Sequence, residues 1–346
     1  MKKNNFSRRD FIKKSVIAGG GILGANTLPG NNQVSISNNN DSLPREVWVS
    51  TISQEGLRAN DPMDMVKKII DILDDNVKSY HPDVICLPEI FPFVNNEKPA
   101  SSRKEKADIS SDVLKRFSAY AAKNNCYIIC PVYTTEKKKI YNSAVVIDRK
   151  GKRTGEYRKI YTTDEETIEG VTPGEKEPAV FKTDFGTIGV QICYDIMWDD
   201  SWKQLSEKGV EIIFWPSAFA GGRMVNVKAW QCMSYVVSSS WKNTSKICDV
   251  TGDVITETGI YGKNIVTAPL NLEKAFLHTW PAFMVFEKIK NKYGRKVRIT
   301  NYHEEEWSII ESLSPDLKVS DILKEFKLIT KRQMLLESEK VQNRAR

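Results

Sequence analysis

From residue 47 onward, short apolar runs alternate with stretches whose apolar residues recur at helical spacing. Runs at 47–52, 84–87, 127–130, 187–192 and 210–215 have strand length and are mostly apolar, as strands covered on both faces are. Between the first two, Asp61 reads as a helix N-cap with Pro62 at the first helical position, and Val66, Ile69, Ile70, Leu73 and Val77 share one face. A second helix over 110–124 gathers Val113, Leu114, Phe117 and Ala121, and a third is predicted over 201–208. Residues 141–148 and 154–157 read as hairpin partners around Arg149-Lys150-Gly151-Lys152. Alternation in this order predicts an α/β sandwich with mixed sheets. No internal repeat is visible in the sequence.

Composition narrows the function classes. The 346 residues include 8 Trp, 13 Phe and 12 Tyr, which excludes a globally disordered chain. No run approaches the roughly 20 apolar residues of a membrane span. His81, His278 and His303 are scattered and no Cys/His spacing suits zinc, so a metal centre is not expected. Of the remaining cysteines, Cys86, Cys126, Cys130, Cys232 and Cys248 form no CxxC pair. Cys126 and Cys130 on one strand would lie about 13 Å apart, too far for a disulfide.

The formal net charge is +7, and its distribution matters more than its size. Lys2, Lys3, Arg8, Arg9, Lys13 and Lys14 against Asp10 give +5 within residues 1–30, leaving +2 for the rest. A basic start followed by a short Gly-rich apolar run at 16–25 has the make-up of a targeting segment. Ser7-Arg8-Arg9-Asp10-Phe11-Ile12-Lys13 resembles the twin-arginine export signal, which implies export in the folded state to the periplasm or another extracytoplasmic space. Residues 31–43 are a polar, Asn- and Ser-rich linker, and the folded part is expected over 44–270 with an extension over 271–346. With the basicity confined to the first segment, a nucleic-acid partner loses its support, and no stable membrane insertion is expected after export.

Three strand ends deliver reactive side chains. Leu87-Pro88-Glu89 places a carboxylate after a buried strand, Tyr157-Arg158-Lys159 an ammonium after a hairpin strand, and Gln191-Ile192-Cys193-Tyr194-Asp195 a thiol after another buried strand. Strand ends are rigid enough for catalytic tolerances. An ammonium favours a thiolate and steadies an oxyanion, while a carboxylate shuttles protons.

These segments, together with Glu169-Gly170-Val171-Thr172-Pro173-Gly174 and Phe214-Trp215-Pro216-Ser217-Ala218-Phe219, resemble the nitrilase superfamily of carbon–nitrogen hydrolases in order and spacing. The resemblance spans about residues 47–268. It implies an α-β-β-α sandwich, a pair of subunits packing helix layers, and no cofactor. It implies Cys193 as nucleophile of a thioester intermediate, Glu89 as general base, and Lys159 with the backbone N–H of Tyr194 as oxyanion donors. Glu169 matches the family's second glutamate, which orients substrate or supports the Lys; among the neighbouring acids Asp164, Glu165 and Glu166, it alone precedes the Gly-x-x-Pro-Gly run. Cys-Tyr-Asp resembles the amidase-like branches, so a small-molecule amide is the expected substrate.

Two departures qualify the resemblance. Branches that bind substrate carboxylates often carry Arg shortly after the Cys, where this chain has Ile196, Met197 and Trp198. That points to an uncharged or aromatic acyl group in a pocket walled by Met197, Trp198, Pro216 and Phe219. Lys228-Ala229-Trp230-Gln231-Cys232 stands where many relatives carry Arg-Ala-x-Glu-Asn. The rival readings are an acyltransferase using the same thioester and a catalytically silent binding protein on the same fold. Residues 271–346 are expected to hold a hairpin over 284–299, turning near 291–294, and a charged helix over 320–343.

Overall fold

The computed structural model describes residues 43–346; the expected signal at 1–30 and all of the linker but Leu43 lie outside the described residues. In chain order the first elements are β1 (Glu46–Ile52), α1 (Pro62–Tyr80), β2 (Val84–Cys86), α2 (Arg103–Asn124), β3 (Tyr127–Glu136), β4 (Lys139–Ile147) and β5 (Arg153–Arg158). Next come the short α3 (Asp164–Ile168), β6 (Val180–Lys182), β7 (Thr187–Val190), α4 (Asp200–Glu207), β8 (Ile212–Ser217), α5 (Arg223–Cys232), β9 (Tyr235–Ser240), β10 (Lys246–Cys248), β11 (Val254–Glu257) and β12 (Ile265–Asn271). The last are β13 (Lys274–His278), α6 (Thr279–Tyr293), β14 (Val297–Tyr302), β15 (Trp307–Ser312), α7 (Val319–Glu325) and α8 (Lys331–Ala345). Among the described residues, no helix is long and apolar enough to cross a membrane.

Two six-stranded sheets form the body, ordered β12-β1-β2-β3-β4-β5 and β11-β10-β9-β8-β7-β6. Each contains three adjacent parallel strands (β1, β2, β3 and β7, β8, β9) continued by antiparallel strands β4–β5 and β10–β11. The two halves therefore repeat one strand–helix–strand–helix–strand–hairpin plan, although no repeat is visible in the sequence.

Alternation within the strands builds the layers. Val84 and Cys86 face the core between the sheets, with Val49 and Ile129 meeting Val190, Ile212, Phe214 and Val237. Ile85 points the other way, into a core where Met65, Ile69, Leu73, Val113 and Phe117 of α1 and α2 cover the first sheet. Trp202, Leu205, Val225 and Ala229 of α4 and α5 cover the second sheet in the same way, over Ile213, Trp215 and Val236. A strand covered on both sides is apolar at most positions, which is why these strands read as nearly continuous apolar runs. The result is the expected α-β-β-α sandwich.

Helix α1 starts as its sequence dictates: Asp61 accepts hydrogen bonds from the Met63 and Asp64 backbone N–H groups at 2.9 and 3.0 Å. Helix α2 starts at Arg103, well ahead of the expected residue 110. Ser102 caps it by accepting from Glu105 N at 3.1 Å, and Glu105 in turn accepts from Ser101. Its opening turns are mostly polar and none of residues 103–109 is buried, so apolar spacing alone could not reveal them.

The C-terminal extension differs from expectation. The segment expected to be a hairpin over 284–299 is mostly helix α6, because Ala282, Phe286 and Ile289 fall on one face and pack against Leu277, Ile310 and Ile322. The sheet there is instead β13-β15-β14. The helix expected over 320–343 is two helices: Lys327 adopts a left-handed φ of 54°, and Thr330 opens α8 with a capping box closed by Gln333.

The extension joins the body where β1 and β9 begin. Tyr235 Oη donates to Asn271 O at 2.8 Å, Asn271 Nδ2 donates to Ser312 O at 2.8 Å, and Lys274 pairs with Asp249 at 3.0 Å. Glu89, Lys159 and Cys193 leave the opposite ends of β2, β5 and β7, away from this junction, while α8 lies along α4 and α5. Phe286, only 4% exposed, anchors the extension's core. Phe286→Ala is expected to lower unfolding free energy by about 3–5 kcal/mol, read from the shift in denaturant midpoint.

Candidate active site

Each loop that presents a reactive side chain is pinned by its own backbone. After β2, Leu87 N still donates to Ile129 O at 3.1 Å, and Ile90 then takes a left-handed φ of 38° into the short turn Phe91–Phe93. Gln54 Nε2 donates to Phe91 O at 2.9 Å, and the Trp241 indole N–H donates to Glu89 O. Lys159, at the end of β5, donates its N–H to Asn142 O at 2.9 Å and accepts from Gly174 N at 2.8 Å. A Cβ at Gly174 would sit 2.4 Å from Arg158 O, so the run after Glu169 needs glycine there.

Cys193 follows β7 with a φ of 45°, a left-handed backbone that costs a non-glycine residue of order 1–3 kcal/mol. Asp195 holds this turn. Its buried carboxylate accepts from Ile192 N at 2.7 Å, Tyr161 N at 2.8 Å and Tyr157 Oη at 2.7 Å. The Trp215 indole donates to Cys193 O at 3.0 Å and the Trp202 indole to Asp195 O at 3.1 Å. Asp195 thus ties the thiol's turn to the residues beside Lys159.

The structure brings Glu89, Lys159 and Cys193 together, all buried. Lys159 Nζ donates to Glu89 Oε1 at 2.9 Å and to Glu166 Oε2 at 2.7 Å. Asn142 Nδ2 donates to the same Glu89 Oε1 at 2.8 Å and to Glu166 Oε1 at 2.8 Å. Glu89 Oε2 is buried without a hydrogen-bond partner. Burial opposes the Lys159 ammonium, but the charges of Glu89, Cys193 and Glu166 outweigh it and raise its pKa. Burial raises the Cys193 pKa, Glu89 adds to the rise, and Lys159 opposes it. Burial also works against the Glu166 carboxylate, yet Lys159 and the hydrogen bonds it receives hold it below its usual range.

One expected residue is displaced. The glutamate touching Lys159 is Glu166, not Glu169. Glu169 caps the end of α3, is 45% exposed and pairs with Arg103. Arg103 also donates to Tyr133 Oη and lies 5.1 Å from the centre of that ring. Glu166 is turned inward by a capping box with Thr163, whose N–H donates to Glu166 Oε2 at 2.9 Å. The Thr163-x-x-Glu166 spacing was the available signal for it. Asn142 was missed as well; it is a polar residue within a strand that is otherwise buried and mostly apolar.

The expected pocket residues divide. Met197 is 53% exposed and forms no buried wall. Trp198 stacks on Tyr161 at 4.1 Å and meets Tyr194 edge-on at 4.9 Å. Pro216 is buried within β8, and Phe219 packs edge-on against Trp215 at 5.3 Å. Tyr194 follows Cys193 in the short turn Cys193–Met197 and is partly buried.

Residues 49–275 match the carbon–nitrogen hydrolase family model. The chain is similar to the nitrilase and fragile histidine triad fusion protein of Drosophila melanogaster, 25% identical over 63% of this chain and 53% of that one. It is also similar to a deaminated glutathione amidase of Synechocystis, 30% identical over 40% of this chain and 54% of that one. The chain thus spans about half the length of these curated relatives. Among solved structures, it resembles an amidase from Nesterenkonia sp. with TM-score 0.56 and 16% identity over 66% of this chain and 92% of that one. It resembles a carbon–nitrogen hydrolase from Helicobacter pylori with TM-score 0.60 and 17% identity over 72% of this chain and 94% of that one. A variant of the Nesterenkonia amidase carries the acetamide moiety of fluoroacetamide on its active-site cysteine. The chain belongs to the carbon–nitrogen hydrolase family of the nitrilase superfamily.

Asp195 carries a pH signature. Burial pushes its carboxyl up to about 7, against the hydrogen bonds that favour its charge. A carboxyl that holds its proton more tightly folded than unfolded (unfolded value about 3.9) gives stability below that value and loses it as pH rises toward 7. The stability difference between wild type and Asp195→Asn is therefore expected to decline from pH 4 to 7 in urea unfolding. A difference independent of pH would contradict this assignment.

Proposed function

We propose that this protein is an exported thiol amidohydrolase that cleaves linear amides through a Cys193 thioester. The observation that carries the proposal is the buried Lys159 ammonium held between Glu89 and Glu166, within electrostatic reach of Cys193. Because burial and Glu89 keep the thiol protonated near neutral pH, attack needs a base in the same step. Glu89 Oε2, buried and without a partner, is the free oxygen for that task.

The mechanism follows from this arrangement. Glu89 takes the Cys193 proton as Sγ attacks the amide carbon. The carbonyl oxygen becomes an oxyanion held by Lys159 Nζ and the Tyr194 backbone N–H. As the tetrahedral adduct collapses, the C–N bond breaks and the amine leaves with the proton from Glu89. Glu89 then takes a proton from water, hydroxide adds to the thioester, and collapse releases the acid and the thiolate, which recovers its proton. Glu166 and Asn142 touch neither reacting atom and hold the ring of charges.

The absence of Arg directly after the nucleophile and the cluster of Tyr161, Tyr194 and Trp198 support an uncharged or aromatic acyl group. The family's usual pairing of subunits, applied here, would use α4 and α5, where Met224 and Val227 are exposed. The Arg8-Arg9 segment supports twin-arginine export. Passage in the folded state suits a chain whose described cysteines are all free and buried, since burial raises every one of their pKa values and slows oxidation.

Cys193→Ala is expected to cut ammonia release from a panel of small amides at least about a thousandfold while the thermal transition stays in place. Unchanged turnover in that variant would sink the mechanism. Adding an amine to the assay and analysing the acyl products distinguishes hydrolysis from acyl transfer. For export, replacing Arg8 and Arg9 together by Lys is expected to retain the protein in the cytoplasm, read by cell fractionation. Normal export of that variant would exclude the twin-arginine route.

A further inference from the structure

We infer that Asn142 is a positioning residue that fixes which oxygen of Glu89 serves as the base, an inference that rests on the Glu89–Lys159–Cys193 reading above. Its single carboxamide NH2 spans two carboxylates, at 2.8 Å from Glu89 Oε1 and 2.8 Å from Glu166 Oε1. Lys159 Nζ spans the same two groups, so Glu89, Lys159, Glu166 and Asn142 close a ring. Both donors converge on Glu89 Oε1, and Oε2 remains buried and unpartnered. Without Asn142, Glu89 keeps one tether and can rotate about its terminal bond, exchanging its oxygens.

The orientation of the carboxamide is dictated by its surroundings. A flipped amide would press its oxygen against two carboxylates, whereas the NH2 has a hydrogen for each. The neutrality of the donor also matters. Two carboxylates and one ammonium give the ring a formal charge of −1. A cation at position 142 would alter that balance, and an anion would set three carboxylates around one ammonium. The backbone of Asn142 serves the same end, because its carbonyl accepts the Lys159 N–H at 2.9 Å.

The groups facing position 142 are Glu89 after β2, Lys159 after β5, Glu166 in α3, and Tyr133 of β3 with Arg103 of α2 behind it, and Cys193 after β7 lies beyond Glu89 and Lys159. In Asn142→Asp, a protonated carboxyl can donate one hydrogen bond and an ionised one can donate none. That variant should therefore regain reactivity as pH falls, whereas Asn142→Ala should not.

The test is the pH profile of Cys193 alkylation by fluoroacetamide, followed by peptide mass mapping, alongside amide turnover. The expected result at pH 7.5 is a loss of at least about tenfold in both variants, with melting transitions retained. Asn142→Asp should recover toward pH 5, and Asn142→Ser, which keeps a small neutral donor, should retain more reactivity than Asn142→Ala. If Asn142→Asp does not fold, the Ser and Ala pair decides the matter. Wild-type rates and profiles in the variants would overturn the role of Asn142 and leave the nucleophile standing. Wild-type Cys193 reacting no faster than the other five thiols would overturn the nucleophile and the role of Asn142 with it.

Discussion

The site depends on one buried ammonium. Lys159 is 2% exposed, and stripping water from such a charge costs several kcal/mol. Glu89 and Glu166 offset that cost by close ion pairs, and Asn142 supplies the remaining hydrogen bonds without adding charge. A buried ion pair of this kind is a poor source of stability, since apolar residues of similar volume would serve the fold as well. What it gives instead is geometry: a fixed positive charge, which in the proposed mechanism meets the developing oxyanion, and a carboxylate with one oxygen bound and one without a partner.

The fold makes that geometry possible by pointing three strand ends the same way. In the first sheet, β2 and β5 both end on the side of the site, and the opposed second sheet brings β7 to it. Glu89 and Lys159 therefore come from one half of a doubled plan and Cys193 from the other. β2 and β7 are each flanked by neighbours on both sides and covered on both faces, so the side chains that follow them inherit little freedom. β5 is an edge strand beside β4 alone, and Lys159 is held instead by the backbone bonds to Asn142 and Gly174. The C-terminal sheet joins the opposite end, where β1 and β9 begin, and α8 lies along α4 and α5.

Strain at the proposed nucleophile is part of the same design. Cys193 sits in a left-handed conformation that a non-glycine residue adopts only when its surroundings impose it. Asp195 imposes it by accepting two backbone N–H groups and the Tyr157 hydroxyl, in a place where burial works against its charge. The same carboxylate accepts the Tyr161 N–H two residues after Lys159, so the thiol and the ammonium are registered to each other through backbone and not through flexible side chains.

Much of this was legible in the chain itself. Continuous apolar runs marked strands covered on both faces, Asp61-Pro62 marked a helix start, and Glu89, Lys159 and Cys193 stood out because each directly follows a strand. These signals are local, set by periodicity and by the stereochemistry of caps and turns. The choice of Glu166 over Glu169, the role of Asn142, the exposure of Met197 and the helical state of the segment after His278 were decided only by tertiary packing. Glu166 and Glu169 lie one turn apart in a run of acids, and the direction each faces is set by a capping box and by Arg103 arriving from α2. Asn142 shows its function only when the ends of β2 and β5 and helix α3 converge on its side chain. The Thr163-x-x-Glu166 spacing marks a capping box but does not name its ammonium partner, because burial of that pair depends on Glu89 and Asn142 arriving from segments far off in the sequence.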